Sequence, residues 1–293
     1  MSINVFDLVE NYNLVVHGEI KDPTVYGPSS IENPKINTLT WVKNKDFLNK
    51  AKHGFVLINS TIKFFPNSNV IYLVTSESTK FIFSKILKKY FTPNIDFYLK
   101  NCIGYHRLNK RIKISENTFI GQNVHIGDGS IIYPNVVIEA NTIIGNNCLI
   151  KSHVSIGTEG LGLELNKNVD EIIKFPQIGN VVFGDNIEIG PNSTVRRGSL
   201  DSTIIKSGTK IGSLVNIGHN CEIGKNCILT SNIVTGGSST IGDNSFIGVN
   251  TVIKNQIKVG SNCLLGMGSL VTQDLKSNVV AFGSPAKEIR KNS

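Results

Sequence analysis

A six-residue repeat constrains what this chain can fold into. Every sixth residue is aliphatic over residues 108–156, and again over residues 205–271, where Thr235 is the one polar exception. A helix has a period near 3.6 residues and a simple strand a period of 2, so a period of six indicates very short strands joined by tight turns. Gly, Asn and Asp follow many of the aliphatic positions and supply the positive φ angles that such turns need.

Three such strands would close a triangular coil of about 18 residues. Coils stack at the ordinary strand spacing of about 4.8 Å, and the repeats predict about eight coils, a length on the order of 35–40 Å. We therefore predict a mainly β protein built on a parallel β-helix of the hexapeptide type.

The first hundred residues lack the repeat. Residues 4–13 and 78–91 have the apolar spacing of helices, whereas 54–59 and 69–76 are apolar runs typical of buried strands. These patterns predict a small N-terminal α/β domain over residues 1–101.

The β-helix is predicted over residues 102–272. Its rhythm breaks at 157–180, an insertion with several apolar residues that suits a flap over a pocket or a neighbouring subunit, and again at 197–203. Such loops often form binding faces in repeat proteins. Residues 273–293 are predicted to form a short C-terminal cap, a turn leading into a polar, helical segment.

Composition narrows the function classes. The net charge is +8, but the basic residues are scattered without interleaved aromatics, which argues against nucleic acid and fits a small anionic substrate. The five cysteines form no C-x-x-C pair, and with no signal peptide they favour a reducing compartment, the cytoplasm. No apolar run is long enough to span a membrane, and no metal-binding motif occurs.

Three long segments resemble a known enzyme family. The segments "KFPQIGNVVFGDNIEIGPNSTVRRGSLDSTIIKSGTKI" with "NIGHNCEIG", and "LTWVKNKDFLNKA" near the N-terminus, resemble the UDP-3-O-acylglucosamine N-acyltransferases of lipid A synthesis. The ending "GMGSLVTQDLKSNVVAFGSPAKEIRK" is similar instead to the CoA-dependent N-acetyltransferases of nucleotide-linked amino sugars. The resemblance implies a left-handed β-helix, a nucleotide-binding N-terminal domain and a homotrimer.

His219 and Gly237 are the candidate catalytic residues. His219 follows the inward Ile217 by two positions, which predicts a corner, and Gly237 follows one coil later, roughly 5 Å away. From the residues alone, His219 is either a surface histidine or a base, and Gly237 is either a turn residue or an oxyanion donor. The resemblance implies that His219 is the catalytic base and that Gly237 is the oxyanion-hole glycine.

The candidate substrate-binding residues are Trp41, Asn44 and Phe47. Two aromatic rings can hold a pyrimidine between them, and an amide can read its edge. From the residues alone the favoured interpretation of Trp41 is a core aromatic of a small domain, whereas the resemblance implies a clamp for uracil or thymine.

The candidate acyl-donor residues lie near the C-terminus. By resemblance, Gly266, Ser269 and Ser284 would line a CoA site, with Lys287 and Arg290 meeting its phosphates. A solvated basic tail is the alternative for the two cations.

The sequence departs from the lipid A family at three positions. Gly212 replaces an acidic residue seven positions before the histidine, Arg196 replaces the aspartate of an Asp-Arg-Gly triplet, and Gln256 replaces a second histidine. These departures leave open whether His219 is the base or only positions the amine.

Three functions are therefore under consideration. The first is transfer of a short acyl group, acetyl in particular, from acyl-CoA to a dTDP- or UDP-linked amino sugar for cell-surface polysaccharide. The second is the lipid A reaction, which uses a hydroxyacyl carrier protein. The third is a nucleotide-sugar-binding scaffold without catalysis.

Overall fold

The computed structural model describes residues 2–292. Among them the chain divides into two compact units. One comprises the described residues up to Pro93 together with Leu161–Gln177, and the other comprises Asn94–Gly160 and the chain from Ile178 onward. No helix within this described part is long and apolar enough to cross a membrane.

The first unit is built on a mixed four-stranded sheet. Its strands, in spatial order, are Val15–His17, Val70–Thr75, Gly54–Asn59 and Leu39–Trp41. Gly54–Asn59 pairs in parallel with both of its neighbours and is buried along nearly its whole length. A continuous apolar run is what a strand covered on both faces requires.

The first of the two α-helices of this unit has clear signals at both ends. Helix Val5–Tyr12 begins where the Asn4 side chain accepts a hydrogen bond from Phe6 N, and it ends at Asn13 in the left-handed conformation. The second helix, Thr79–Ile86, continues as the π-helix Leu87–Phe91. The remaining elements of the unit are the 3₁₀ helix Lys45–Lys50, the strand pair Ile3–Asn4 and Thr24–Val25, and the hairpin Leu163–Leu165 and Ile172–Lys174.

This hairpin is the insertion that interrupts the repeat, and it packs against the second helix of its own unit. Lys80 of that helix forms an ion pair with Glu164 of the hairpin. Phe83 of the helix stacks on Phe175, with ring centroids 6.2 Å apart. The apolar residues of the insertion therefore serve, in part, to attach it to the N-terminal fold.

The second unit is a three-faced parallel β-helix. Face 1 contains strands Lys113–Ile114, Ile131–Ile132, Leu149–Ile150, Glu188–Ile189, Lys210–Ile211, Ile228–Leu229, Phe246–Ile247 and Leu264–Leu265. Face 2 contains Phe119–Ile120, Val137–Ile138, Ser155–Thr158, Thr194–Arg196, Asn216–Ile217, Val234–Thr235, Val252–Ile253 and Leu270–Val271. Face 3 contains His125–Ile126, Ile143–Ile144, Asn180–Phe183, Ser202–Ile205, Glu222–Ile223, Thr240–Ile241 and Lys258–Val259. Two short helices, Ile95–Leu99 and Ile103–Arg107, precede the first strand.

The aliphatic repeat forms the core of the β-helix, as predicted. The second residue of most two-residue strands points inward and is buried, as for Ile120, Ile138 and Ile217. Each such residue contributes about 1.5–3 kcal/mol relative to an exposed one. Leu108 was wrongly predicted as the first of these residues: it ends helix Ile103–Arg107 and is 80% exposed, because the coils begin at Ile114.

The C-terminal cap is a hairpin, not the helical segment that the sequence predicted. Strand Val279–Gly283 extends face 1 in parallel, and Ala286–Lys291 returns antiparallel to it. The last coil leaves the edge of face 1 unpaired, and an added strand satisfies those backbone groups whereas a helix would not.

Candidate active site

His219 and Gly237 occupy equivalent corners of successive coils. Strands Asn216–Ile217 and Val234–Thr235 pair in parallel, with Ile217 opposite Thr235, which confirms the 18-residue coil at this point. His219 lies in the turn that follows the first strand, between faces 2 and 3, and Gly237 lies in the turn that follows the second. The side chain of His219 is half-buried.

The His219 ring lies directly against Gly237. A Cβ atom added to Gly237 would be 2.4 Å from His219 Nε2 and 2.6 Å from Cε1, so only glycine leaves room for the ring. The neighbouring N–H groups are used: Gly236 N donates to Ile253 O, and Ser238 N donates to His219 O. The N–H of Gly237 has no acceptor among residues 2–292, which leaves it available to a ligand.

Asn220 is a contact of His219 that the sequence analysis missed. Its Oδ1 lies 3.0 Å from His219 Nδ1 and also accepts a hydrogen bond of 2.9 Å from Ser199 N. Asn was interpreted there only as a turn residue, and it does adopt a positive φ of 57°. The signal that was available is the phase break at 197–203, which brings Ser199 beside this corner.

Gly212 is not at the His219 corner. It follows strand Lys210–Ile211 and lies between faces 1 and 2, where an added Cβ would be 2.8 Å from the carbonyl carbon of Thr230. The absence of an acidic residue at 212 therefore does not leave His219 unpartnered, because Asn220 contacts its ring.

Gln256, the third departure, lies on the rim of the site. Its backbone N donates to Gly237 O, and its side chain is exposed.

Arg197, one of the two successive arginines, is fully buried behind this corner. Its Nε donates to Gly157 O at 2.5 Å, and its Nη2 donates to Ala140 O at 3.1 Å and lies 3.4 Å from Glu139. The guanidinium also lies 5.2 Å from the centre of the Tyr98 ring. Burial raises the pKa of the Tyr98 hydroxyl. Arg197 thus ties the 197–203 loop to earlier coils.

The predicted base clamp lies in the first unit, and its residues have different surroundings. Trp41 ends strand Leu39–Trp41, and its ring is 5.8 Å from Lys80 Nζ. Asn44 precedes the 3₁₀ helix and is exposed, with no capping hydrogen bond. Phe47 packs on the core of the unit, 5.0 Å from Lys50 Nζ. The clamp stays a prediction.

A cavity of about 540 Å³ lies beside the same 3₁₀ helix. Two lysines and several aromatic rings are among its lining residues, which include Lys45, Lys63, Phe64, Phe65 and Tyr72. Burial raises the pKa of the Tyr72 hydroxyl. The lining combines aromatic rings with both cations and the carboxylate of Asp46, a mixture of apolar and polar groups that is typical of small-molecule pockets.

The predicted acyl-donor residues fall into two groups. Ser269 is buried, and its Oγ donates to Gly266 O at 2.6 Å, so the two residues hold one corner together. Ser284 lies in the turn of the C-terminal hairpin, and Lys287 and Arg290 are exposed on its last strand. The hairpin therefore presents the cations to solvent, while its first strand lies beside Gly266, whose N donates to Ala281 O.

The chain carries hexapeptide repeats of transferase type. Residues 123–158 match the bacterial transferase hexapeptide family (six repeats), and residues 239–273 match the hexapeptide repeat of succinyl-transferase. The UDP-N-acetylglucosamine acyltransferase of Francisella novicida superposes with a TM-score of 0.54 at 24% identity, covering 63% of this chain and 68% of that one. The Campylobacter jejuni enzyme gives 0.50 at 23%, covering 63% and 74%. The fold is a left-handed parallel β-helix, as predicted.

Two curated proteins with similar sequences carry the same enzyme name. The UDP-3-O-acylglucosamine N-acyltransferase of Coxiella burnetii is 48% identical over 60 residues, 20% of this chain and 17% of the relative. That of Polynucleobacter asymbioticus is 39% identical over 111 residues, 37% of this chain and 31% of the relative. The matches thus span less than a third of either relative. They confirm the predicted resemblance to the hexapeptide-repeat acyltransferases of lipid A synthesis.

Proposed function

We propose that the protein is an N-acyltransferase that moves an acyl group from a thioester to the amine of a nucleotide-linked sugar. The observation that carries the proposal is the corner at His219, where a ring nitrogen lies against the backbone of Gly237 and a backbone N–H is available beside it. A base and an oxyanion donor on adjacent coils are what acyl transfer to an amine requires.

In this mechanism the amine nitrogen attacks the thioester carbonyl carbon, and His219 Nε2 takes the amine proton. The carbonyl oxygen becomes an oxyanion that accepts a hydrogen bond from Gly237 N–H. The C–S bond then breaks, and the leaving thiolate takes the proton from the imidazolium. If His219 only positions the amine, the thiolate collects the proton without it.

The names of the relatives favour UDP-3-O-acylglucosamine as the acceptor over the amino sugar acetylation that the sequence analysis placed first. The donor that goes with this acceptor, by the resemblance, is a hydroxyacyl carrier protein. Within this proposal Trp41, Asn44 and Phe47 hold the base, and the reaction takes place in the cytoplasm.

Acetyl transfer from acetyl-CoA is the second candidate. It is favoured by the C-terminal hairpin, whose turn holds Ser284 and whose last strand exposes Lys287 and Arg290. Exposed cations suit the phosphates of a CoA nucleotide.

A homotrimer is part of the proposal. Faces 1 and 2 expose apolar residues at outward positions in successive coils, namely Ile228 and Phe246 on one face and Val234 and Val252 on the other. A continuous apolar surface of this kind is typical of contacts with another protein chain. Light scattering coupled to size-exclusion chromatography measures the mass of the assembly directly.

The experiment is a donor and acceptor panel with the purified protein. We expect UDP-3-O-acylglucosamine with a hydroxyacyl carrier protein to give turnover, and acetyl-CoA with dTDP- or UDP-amino sugars to give little. The reverse pattern would establish the second candidate. Nucleotide binding with no turnover on any pair would establish the non-catalytic scaffold instead.

The matched variants are His219→Asn and His153→Asn. Loss of a general base lowers kcat about 10²- to 10⁴-fold, so His219→Asn should lose activity to that degree. His153 also lies at a corner, with a positive φ of 61° and an exposed side chain, so its variant should keep full activity. Equal kcat values for the two variants would remove His219 from the mechanism.

A further inference from the structure

We propose that Asn220 is a positioning residue that sets the tautomer of His219, so that the lone pair lies on Nε2. This inference rests on the proposed role of His219 and goes beyond it, because it assigns a function to the neighbouring amide and to the break at 197–203. Three contacts at the corner lead to it in three steps: two hydrogen bonds of Asn220 and the close approach of the His219 ring to Gly237.

The first step fixes the orientation of the Asn220 amide. Ser199 N lies 2.9 Å from Asn220 Oδ1. A backbone N–H can only donate, so the atom that faces it is the amide oxygen and not the NH₂ group. The backbone also holds Asn220 in place, because Asn220 N donates to Thr203 Oγ1 at 2.8 Å.

The second step fixes the proton on the imidazole ring. The same oxygen lies 3.0 Å from His219 Nδ1. An amide oxygen can only accept, so Nδ1 of the neutral ring carries the hydrogen and Nε2 carries the lone pair.

The third step concerns where the lone pair lies. Nε2 is the ring atom nearest to the position that a Cβ of residue 237 would occupy, at 2.4 Å. The basic nitrogen is therefore the one beside the free N–H of Gly237. The opposite tautomer would place an N–H donor there, and no base.

The break at 197–203 makes this arrangement possible. Gly198 admits the tight loop, since an added Cβ would lie 2.0 Å from Asp201 O and 3.0 Å from Asn220 Nδ2. In an uninterrupted coil the equivalent asparagine meets another asparagine: Asn244 Nδ2 donates to Asn262 Oδ1 at 3.3 Å. Asn220 has Ser238, not an asparagine, one coil later, and the loop supplies Ser199 N from the preceding side as the donor to the Asn220 oxygen.

The variants that test this are Asn220→Gly and Asn220→Asp. Glycine keeps the positive φ without strain but removes the acceptor. We expect kcat to fall, by less than the about 10²- to 10⁴-fold that loss of the base itself would cause, with little change in KM. Aspartate keeps an acceptor for both donors, so activity should be retained. Its negative charge stabilises the protonated imidazole, so the acidic limb of the pH–kcat profile should move to higher pH.

Asn244→Gly is the matched control. Asn244 has the same backbone conformation, with φ 59°, and lies at a corner without a histidine, so its variant should have wild-type kcat and pH profile. An Asn220→Gly protein that folds, as judged by its Tm, and keeps wild-type kcat would overturn the proposal.

A second measurement does not depend on turnover. The ¹⁵N spectrum of neutral His219 should show an unprotonated Nε2 in the wild type and in Asn220→Asp, and a mixture of tautomers in Asn220→Gly. A proton on Nε2 in the wild type would overturn the assignment. If the wild type transfers no acyl group from any donor, the proposed function fails, but this spectrum still decides the tautomer.

Discussion

Two regions of the β-helix differ in what their corners do. One is the set of uninterrupted coils, meaning the other corners over residues 205–271, and the second is the break, meaning the loop at 197–203 with the corner of His219, Asn220 and Gly237 beside it. In the uninterrupted coils, corner residues bond to their equivalents one coil away, as Asn244 does to Asn262. At the break, Asn220 bonds to Ser199 and His219 instead. A strict repeat makes every corner alike, so an individual site arises where the repeat is broken.

The two regions also differ in how they hold charge. In the uninterrupted coils, Lys206 pairs with Glu222 on the surface. At the break, Arg197 is fully buried, and its Nη1 has no hydrogen-bond partner among residues 2–292. Glu139, the carboxylate nearest to it, is partly exposed. A buried cation is a demanding way to anchor a loop, because its donors must find acceptors inside the protein.

The largest expected effect separates the glycines of the two regions. Gly237→Ala adds a methyl group whose three nearest atoms all belong to the His219 ring. We expect kcat to fall about 10²- to 10⁴-fold, as for loss of a general base, with Tm within a few degrees of wild type. Steady-state kinetics and thermal unfolding measure the two effects.

Gly242→Ala is the comparison in the uninterrupted coils. Its added Cβ would lie 2.5 Å from Ser261 N, a backbone atom that cannot rotate away. It should therefore lower the free energy of unfolding by about 1–3 kcal/mol and leave kcat unchanged in the folded protein. A Gly237→Ala protein with wild-type kcat would contradict the geometry of the site.

The next effect compares the buried and the surface cation. Arg197→Met removes the donors to Gly157 O and Ala140 O, and we expect a loss of about 1–3 kcal/mol in the free energy of unfolding for the carbonyl groups left without donors. Lys206→Met should change it by less than about 1 kcal/mol. Urea denaturation measures both losses. Equal losses would mean that the buried cation at the break contributes no more to stability than a surface cation of the regular coils.

The smallest expected effect concerns His106, a buried histidine away from the His219 corner. Burial lowers the pKa of His106, and the nearby His125 lowers it further. Because the folded pKa lies below the unfolded value of about 6.5, the unfolded chain binds the proton first as the pH falls. The contribution of His106 to the free energy of unfolding should therefore be constant above pH 6.5 and should decline below it.

His106→Gln removes this titration. Between pH 6.5 and about pH 5.5, carboxylates still contribute little to the pH dependence of stability. In this range the free energy of unfolding of the variant should depend less on pH than that of the wild type. Parallel curves for the two proteins would mean that His106 is not the responsible group.

Much of this molecule follows from local sequence. The period of six predicted the β-helix because each strand repeats the same inward position, and strands 54–59 and 70–75 were predicted from apolar runs. The C-terminal hairpin was mispredicted because "AKEIRK" has no alternating apolar pattern, and its strand pairing depends on the edge that the last coil leaves open. Leu108 fits the period by coincidence, since the period cannot tell where the first coil begins.

The sequence by itself determined the register of the coils, and with it the stacking of His219 under Gly237, because 18 residues close one coil wherever the repeat is unbroken. Only the tertiary structure decided the partner of the histidine. Asn220 and Ser199 are separated by a loop with no period, so their contact depends on where that loop returns to the β-helix. Periodic patterns fix positions along a repeat, whereas side-chain contacts across a break depend on the path of the chain in space.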